Sequence, residues 1–474
     1  MEIQPRTLCG YTPNEETSKP VTRKSTPQQQ LIASFVLLIL VGSLVLILPG
    51  ITTNGRMSYI DALFSSTSAV CVTGLVVKDT GSDFTRIGQW VLLALIQLGG
   101  LGIMTFSTIF LLMVGKQPSL SHDTVLQDTF AHSPTRNLHT LIVSVVLFTF
   151  AVEFTGAALY FLHSIREFPV NDAMFISLFH AVSAFCNAGF CLFPDSFTRY
   201  QGHVLMNSNT IFLIITGGIG FLVLLELYQR YGQNKTKKGR QRRTLTLHAK
   251  LTLLTTLILI LAGAVFFFFV EYNDVLKGMN VSKRVLISVF QSVTARTAGF
   301  NTVDFSLLSN STLFFFVILM FIGASPGSCG GGIKTTTAAV FFALVRSRLR
   351  GEIHTRIMNR TIPMGAVARA VAVVISSGLV ITVLVIVLLL TQLGGTSHVE
   401  SRGMFLEYLF EAVSAFGTVG LSMGKTSGLN AIGKLVIIVL MFVGRLGPLT
   451  LAFSIRPRET AAPLKYSEEA VMIG

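Results

Sequence analysis

The chain of 474 residues carries 37 basic and 23 acidic side chains, for a formal net charge of +14, yet only 13% of its residues are charged and 51% are hydrophobic. This apolar content excludes a disordered chain, a collagen-like chain and a disulfide scaffold, and so few charges could not cover the surface of a soluble globule of this size. We therefore predict an integral membrane protein, whose basic excess indicates either nucleic-acid binding or membrane loops on one side.

The first apolar segment, residues 31–49, follows Arg23 and Lys24. It is longer than the apolar region of a secretory signal peptide, and no A-x-A-like cleavage site follows it. We therefore interpret residues 1–30 as a cytoplasmic N-terminal tail and residues 31–49 as a retained spanning helix.

Eight segments are apolar over about 20 residues, enough to span a hydrocarbon core of roughly 30 Å. The predicted spans are residues 31–49, 88–114, 139–162, 208–228, 250–271, 311–345, 365–393 and 432–455. Shorter apolar segments lie between alternate pairs, at residues 59–70, 174–185, 285–295 and 405–416. Because a helix of about 12 residues is only about 18 Å long, each is predicted to enter and leave the membrane on one side.

Basic residues concentrate in the two tails and in the connections after the second, fourth and sixth spans. They are Arg6, Lys19, Arg23, Lys24, Lys116, Arg136, Arg230, Lys235, Lys237, Lys238, Arg240, Arg242, Arg243, Lys250, Arg346, Arg348, Arg350, Arg356, Arg360, Arg456 and Arg458. With eight spans they all fall on one side, which the positive-inside rule makes cytoplasmic, and the four short segments fall on the other. The sequence around 230–250 shows no aromatic interleaving or binding module, so we expect no nucleic-acid partner.

The four short segments repeat one pattern, which begins with Leu63-Phe64 in the first copy and ends each time in a glycine. These glycines, Gly74, Gly189, Gly299 and Gly420, recur every 110 to 121 residues. We predict an all-α integral membrane fold of four parallel helix–pore-helix–helix repeats, with eight spanning helices and four re-entrant pore loops around one pseudo-fourfold pore. The predicted repeats are residues 31–114, 115–230, 231–345 and 346–455, followed by a cytoplasmic C-terminal tail at 456–474.

Non-helical backbone at membrane depth must be buried in protein or line a water-filled path. Four such loops around one axis would present carbonyl oxygens that replace the hydration shell of a monovalent cation, next to the negative ends of the short helices. The predicted selectivity filter consists of Val72, Thr73, Gly74, Asn187, Ala188, Gly189, Thr297, Ala298, Gly299, Thr418, Val419 and Gly420. Alternatively each glycine is only a helix C-cap, and the side chains of Thr73, Asn187, Thr297 and Thr418 serve either capping or coordination.

Residues 323–334 interrupt the sixth span with one proline and five glycines, which cannot sustain a helix. We interpret this loop either as a packing kink or as a mobile gate that lines the path. The predicted gate residues are Gly323, Pro326, Gly327, Ser328, Gly330, Gly331, Gly332 and Lys334. A nucleotide-binding P-loop is excluded because Ile333 separates the glycines from Lys334.

Arg445 lies about 16 Å into the eighth span, where a lone arginine costs about 2.5 to 3.5 kcal/mol. We expect it either to pair with Glu153 or Glu226 in neighbouring spans, or to lie below the filter near the gate. Lys334 allows the same two interpretations.

The glycine-ended loops, the glycine-rich break and the Gly444–Pro448 motif Gly-Arg-Leu-Gly-Pro resemble the Trk/Ktr/HKT potassium transporters. The resemblance covers the chain after residue 30 and, without two extra leading helices, is greatest to the Ktr-type membrane subunit. It implies potassium as the transported ion, leaves sodium dependence open, and implies that this chain itself binds no nucleotide. It further implies a homodimer in the lipid of the bacterial inner membrane, both termini cytoplasmic, gated by a KtrA-like cytoplasmic ring of nucleotide-binding RCK domains.

The sequence lacks the Ser-His-acid or metal-ligand spacing of an enzyme, and we expect none of its side chains to perform covalent chemistry. Its five cysteines, Cys9, Cys71, Cys186, Cys191 and Cys329, are scattered and are interpreted as reduced and structural. The alternative functions are an alternating-access secondary transporter, whose repeats would be inverted rather than parallel, and a membrane scaffold for a cytoplasmic partner.

Overall fold

The fold is almost entirely helical in the computed structural model, which describes residues 27–53, 55, 57–114, 138–231, 244–394 and 397–455. The helices are α1 (Pro27–Leu46), α2 (Tyr59–Val70), α3 (Arg86–Val114), α4 (Leu138–Ser164), α5 (Val170–Phe185), α6 (Val204–Ile219), α7 (Phe221–Tyr231), α8 (Leu247–Val270), α9 (Val281–Thr294), α10 (Asn310–Phe321), α11 (Thr335–Leu349), α12 (Met364–Gln392), α13 (His398–Gly417), α14 (Ala431–Leu446) and α15 (Pro448–Ile455). Two short antiparallel strands, β1 (Arg356–Ile357) and β2 (Arg360–Thr361), form a hairpin between α11 and α12. The predicted tails up to residue 26 and from 456, and the basic residues at 235–243, lie outside the described residues.

Within the described residues, four unbroken helices are long and apolar enough to cross a membrane: α1, α4, α8 and α12. Each opens one of the predicted repeats. Their outward faces carry large apolar side chains, among them Leu37, Phe154, Phe269 and Leu390, which are 63%, 76%, 71% and 72% exposed. Contiguous apolar surface of this kind is stable against lipid and not against water.

The four predicted short segments are helical, and the first has the predicted bounds. The others begin earlier than expected, at Val170, Val281 and His398, so that α13 reaches 20 residues. The phenylalanine of the repeated Leu-Phe or Val-Phe pair is buried in every copy, at Phe64, Phe179, Phe290 and Phe410. The repeated pattern therefore encodes a repeated packing position.

The second long segment of each repeat differs from the first, because three of the four are broken. The predicted break between α10 and α11 is present. The fourth and eighth spans were predicted as continuous, and this is wrong: Gly220 separates α6 from α7 at an angle of 101°, and Gly447 separates α14 from α15. Both glycines have positive φ, 95° and 85°, and Pro448 removes a helical N–H donor directly after Gly447.

The repeats pack in a cycle. Each short helix contacts the second long segment of the preceding repeat, with α5 on α3, α9 on α6 and α13 on α10, while α2 packs on α14 of the last repeat. The first and last repeats are thus neighbours. This arrangement brings the loops that follow the four short helices to one place.

Candidate functional site

Four loops with one backbone conformation follow the short helices. In each, a residue with positive φ precedes by two positions a glycine with positive φ. The φ values are 55° and 91° at Val72 and Gly74, 59° and 69° at Asn187 and Gly189, 74° and 80° at Thr297 and Gly299, and 49° and 90° at Thr418 and Gly420. Left-handed backbone costs a non-glycine residue about 1–2 kcal/mol, so four occurrences at one position indicate that a strong local constraint holds the loops.

The four glycines form a closed ring. A Cβ placed on Gly74 would lie 3.0 Å from Cα of Gly189, and one on Gly189 would lie 2.9 Å from Cα of Gly299. The next two contacts close the cycle, since a Cβ on Gly299 would lie 3.3 Å from Cα of Gly420, and one on Gly420 would lie 3.0 Å from Cα of Gly74. Glycine is required here both by close approach and by positive φ.

Glycine as a simple C-cap, the alternative from the sequence, does not describe these positions. The capping residues of α2, α5 and α9 are Cys71, Cys186 and Ala295, several residues before the glycines. The glycines lie within the irregular loops beyond the helix ends.

Hydroxyl residues in the last turns of the short helices hold the loops in place. In the first repeat the carbonyl and the hydroxyl of Ser68 accept from the N–H groups of Thr73 and Gly74, at 2.8 and 3.1 Å. Ser414 holds Val419 and Gly420 in the same way, at 2.8 and 3.1 Å. In the two middle repeats the carbonyls of Ser183 and Thr294 accept from Ala188 and Ala298, and their hydroxyls donate to the carbonyls of Phe190 and Phe300.

The carbonyl oxygens just before the ring glycines belong to buried residues and accept no hydrogen bond from the described part of the chain. They belong to Thr73, Ala188, Ala298 and Val419, residues with no exposed surface. Within the described residues no backbone N–H donates to them, and each borders the glycine of an adjacent repeat. Since buried carbonyls require a partner, this ring of acceptors is suited to a cation or to water.

The polar side chains of these loops serve different purposes. The hydroxyl of Thr418 accepts from the N–H of Gly331 at 2.9 Å, and the amide of Asn187 lies 3.1 Å from the hydroxyl of Thr297, joining the second and third repeats. The Thr73 hydroxyl is buried and has no hydrogen-bond partner among the described residues.

The glycine-rich loop between α10 and α11 lies directly against this ring. Ile322 and Ile333 form a parallel bridge across its base. Gly331 donates to Thr418, and Gly330 approaches Thr297 so closely that a Cβ would collide with its hydroxyl. The loop therefore touches two of the four loops of the ring.

The unpredicted helix break at Gly220 provides hydrogen-bond partners for the same loop. Carbonyls of Gly217 and Gly218, freed by the break, accept from the N–H groups of Cys329 and Ser325, both at 3.1 Å. In return Phe221 donates to the carbonyl of Gly327 at 3.0 Å. On the other side, Gly332 donates to the carbonyl of Gly444 at 3.1 Å, so the loop bridges the second and fourth repeats.

Both cations that the sequence places at membrane depth, the half-buried Lys334 and the buried Arg445, contact this loop. Lys334 donates to the carbonyl of Gly330 at 2.6 Å. Arg445 donates to the carbonyl of Cys329 and, at 3.0 Å, to the carbonyl of Gly99 in α3. The side chain of Arg445 therefore lies against the glycine-rich loop.

The expected ion pair of Arg445 with a glutamate is wrong. Glu153 accepts from the amide of Gln97 at 3.1 Å, and Glu226 accepts from the backbone and hydroxyl of Thr246 at 2.6 and 2.9 Å. The carbonyls of Cys329, in the glycine-rich loop, and of Gly99, in α3, accept from Arg445 instead.

Sequence reasoning assigned no role to the buried residues Arg296 and Glu411, and it considered Glu153 only as a partner of Arg445. Glu153 is 2% exposed and contacts Cys186, and Arg296, 7% exposed, reaches the hydroxyl of Thr256 at 3.4 Å. Glu411 accepts from Ser422, Thr426 and the N–H of Met423. A charged residue inside an apolar repeat is the signal that could have identified them.

The family model of TrkH, described as a cation transport protein, matches residues 10–461 of this chain. The Ktr system potassium uptake protein B of Bacillus subtilis is 39% identical over 451 residues, covering 95% of this chain and 97% of that protein. The potassium/sodium uptake protein NtpJ of Enterococcus hirae is 36% identical, covering 96% and 99%. The crystal structure of the potassium transporter TrkH from Vibrio parahaemolyticus has the same fold, with a TM-score of 0.72 at 17% identity, covering 92% of this chain and 86% of that chain.

Proposed function

The chain belongs to the TrkH family of cation transport proteins, which confirms the resemblance drawn from its motifs, and from this premise we propose that it takes up potassium ions through a channel-like path. The path begins at the ring of Gly74, Gly189, Gly299 and Gly420 and is closed below it by the loop 323–334.

The observation that carries this proposal is the set of buried, unpaired carbonyls at the glycine ring. A cation that sheds its hydration shell needs several oxygen ligands at once, and backbone carbonyls supply them without a fixed negative charge. Four loops in one conformation supply such oxygens from every side. The close approach of the glycines keeps side chains out of the ring.

Potassium is the ion that the names of both relatives share. The Bacillus subtilis relative is named for potassium uptake, and the Enterococcus hirae relative for potassium and sodium. Glycine at all four ring positions goes with potassium selectivity in the family that the motifs resemble. An inward flow of potassium would use the membrane potential, which contributes about 2.3 kcal/mol per charge at 100 mV.

Cation flux into proteoliposomes tests the proposal. The wild-type protein should admit potassium and rubidium in preference to sodium, and Gly74→Ser should lower the potassium-to-sodium ratio because its Cβ collides with the next repeat. Gly424→Ser is the matched control: Gly424 also has positive φ, 83°, but no atom within 4 Å of an added Cβ. An unchanged ratio in folded Gly74→Ser protein would overturn the filter assignment.

The loop 323–334 is proposed as the gate. Its contacts run to the ring through Thr297 and Thr418, to the helix break at Gly220, and to the carbonyl of Gly444 near the end of α14. Nearly all of these are single backbone hydrogen bonds, each worth about 1 kcal/mol net. A loop held by several weak bonds beside the path can leave and return on the timescale of gating motions.

A cytoplasmic regulatory ring is proposed to bind the surface formed by the end of α11 and the β1–β2 hairpin. Its arginines, all exposed, are Arg346, Arg348, Arg350, Arg356 and Arg360. Between them Leu349 and Ile353 are 84% and 75% exposed, which adds apolar anchors to the positive charge.

Replacing these five arginines by glutamine should abolish co-purification with a nucleotide-binding ring of the kind that the resemblance implies. The matched control neutralises Lys277, which lies between α8 and α9, and Lys283, in the first turn of α9, at the opposite end of α8 from its basic connection. Retained binding by the five-arginine variant would show that the ring docks elsewhere.

A further inference from the structure

A groove opens at the surface between the second and third repeats. It has a volume of about 770 Å³, within the range of roughly 300–1,000 Å³ that is typical of ligand sites, and it lies between α6 and α9. Apolar side chains form most of its walls, and several of them are exposed. They are Val204, Ile211, Phe212, Val285, Leu286 and Val289.

One end of the groove is polar. Asn280, Ser282 and Lys283 lie there, at the start of α9. Asn280 is the N-cap residue of α9, but its side chain makes no capping hydrogen bond. None of the three side chains has a hydrogen-bond or ion-pair partner among the described residues, so all three are available to a ligand.

Lys283 differs from other basic residues at the same end of the molecule. Arg86 and Lys434 form ion pairs with Asp172 and Asp61. The guanidinium of Arg284, the next residue in α9, lies 4.0 Å from the ring centre of Tyr272 and donates to the carbonyl of Met279 at 2.7 Å.

The half-buried Lys283 instead extends its stem over Gly202, so closely that a Cβ on Gly202 would lie 3.1 Å from Cε of Lys283. Its ammonium group has no carboxylate partner in the described structure. The polar end of the groove therefore carries an unbalanced positive charge.

The dimensions of the groove favour a lipid over a partner helix. From Lys283 to Val289 its apolar wall runs for six residues of helix, about 9 Å. A second spanning helix would need an apolar wall of about 30 Å. A polar, positively charged end above a short apolar wall matches an anionic headgroup above the first part of an acyl chain.

We propose that this groove binds an anionic diacyl phospholipid of the phosphatidylglycerol class. The phosphate accepts hydrogen bonds from the Lys283 ammonium, the Asn280 amide and the Ser282 hydroxyl, and one acyl chain lies between α6 and α9. Such a lipid joins the helix that precedes the third loop of the ring to the helix that ends at the Gly220 break. Binding of the lipid does not rest on the proposed potassium path.

The affinity test uses the full-length protein in detergent, titrated with phosphatidylglycerol or phosphatidylcholine and followed by native mass spectrometry. Wild-type protein should bind phosphatidylglycerol more tightly than phosphatidylcholine. Lys283→Gln should lower the affinity for phosphatidylglycerol about tenfold, because it removes a charge-assisted hydrogen bond, and should leave phosphatidylcholine binding unchanged. Lys277→Gln, which removes an exposed lysine that does not line the groove, is the matched control and should bind like the wild type.

The location test uses phosphatidylglycerol with a photoactivatable diazirine on its acyl chain. Peptides that contain residues 204–212 and 281–289 should be labelled, and Leu286→Trp, which fills the groove without changing its charge, should reduce their labelling.

Three outcomes overturn the proposal. The first is equal affinity of Lys283→Gln and Lys277→Gln for phosphatidylglycerol. The second is displacement of the labelled lipid by an equal concentration of glycerol phosphate, which would indicate a site for soluble phosphate. The third is a changed oligomeric mass of Lys283→Gln with unchanged lipid binding, which would assign the groove to a second copy of the chain.

Discussion

At the scale of single residues, the first repeat departs from the other three at the ring. Its middle position is the polar Thr73, where the other repeats have alanine or valine, and its leading position is Val72, where the others have polar side chains. Those polar side chains contact a neighbouring repeat or the gate loop, whereas the Thr73 hydroxyl has no partner in the described structure. A buried hydroxyl without a protein partner requires water or a ligand.

Thr73→Val is therefore expected to weaken potassium binding without destabilising the protein, because the change removes no hydrogen bond of the fold. Loss of a single oxygen ligand worth about 1 kcal/mol would raise the half-saturating concentration about fivefold. Concentration-dependent rubidium flux measures the change. Thr73→Ser, which restores the oxygen, is the matched control, and equal half-saturation for the valine and serine variants would contradict the assignment.

At the scale of helices, the breaks in the second long segments of the repeats position the site more than the lengths of these segments do. The break in the second repeat frees the carbonyls of Gly217 and Gly218, and the end of α14 in the fourth repeat offers that of Gly444. All three accept from N–H groups of the loop 323–334. Glycine at these points is visible in the sequence, but glycine within an apolar run is compatible with a continuous helix at a cost of about 1 kcal/mol. Whether the helix breaks at such a glycine depends on the loop that packs into the gap.

Gly220→Ala should loosen the gate. Its Cβ would collide with the carbonyl of Pro326, in addition to a cost of about 1–2 kcal/mol for left-handed backbone, so the loop should leave its seat more often and flux should rise. Gly447→Ala carries only the backbone cost, since its nearest neighbour is the Thr450 hydroxyl at 3.9 Å, and should change flux less. Flux is compared with a deletion within Ser325–Gly331, which represents the released gate.

The result that contradicts this assignment is specific. If Gly220→Ala folds, as judged by its elution as a single species, and both it and the loop deletion transport at the wild-type rate, the loop is a packing kink rather than a gate.

At the scale of the whole molecule, two ion pairs join neighbouring repeats at equivalent places. Arg86 at the start of α3 pairs with Asp172 at the start of α5, and Lys434 near the start of α14 pairs with Asp61 in α2 at 2.6 Å. The second pair joins the last repeat to the first. It is also the better shielded, with side chains 17% and 15% exposed, against 46% and 47% for the first.

Asp61→Asn should consequently destabilise the protein more than Asp172→Asn. Losing a charged, largely buried hydrogen bond costs about 1.5–3 kcal/mol, whereas an exposed ion pair contributes about 0–1 kcal/mol. Thermal unfolding in detergent compares the two variants, and Lys434→Met combined with Asp61→Asn measures the coupling. An equal loss of thermal stability in Asp61→Asn and Asp172→Asn would contradict a larger stabilising contribution from the ion pair between the first and last repeats.

The amino-acid sequence by itself determined the features that contiguous residues encode. Apolar length defined the membrane class, the repeated motif located the four short helices, and five glycines with a proline predicted the break at 323–334. These properties are local, because burial periodicity and backbone dihedral preference depend on neighbours along the chain.

Only the tertiary structure decided which of these pieces meet. It closed the four glycines into a ring, broke the helices at Gly220 and Gly447, and gave Arg445 carbonyl partners instead of a glutamate. Such contacts join residues that lie far apart in sequence, and their energies depend on which backbone groups the packing leaves unpaired. No local sequence pattern encodes these long-range contacts.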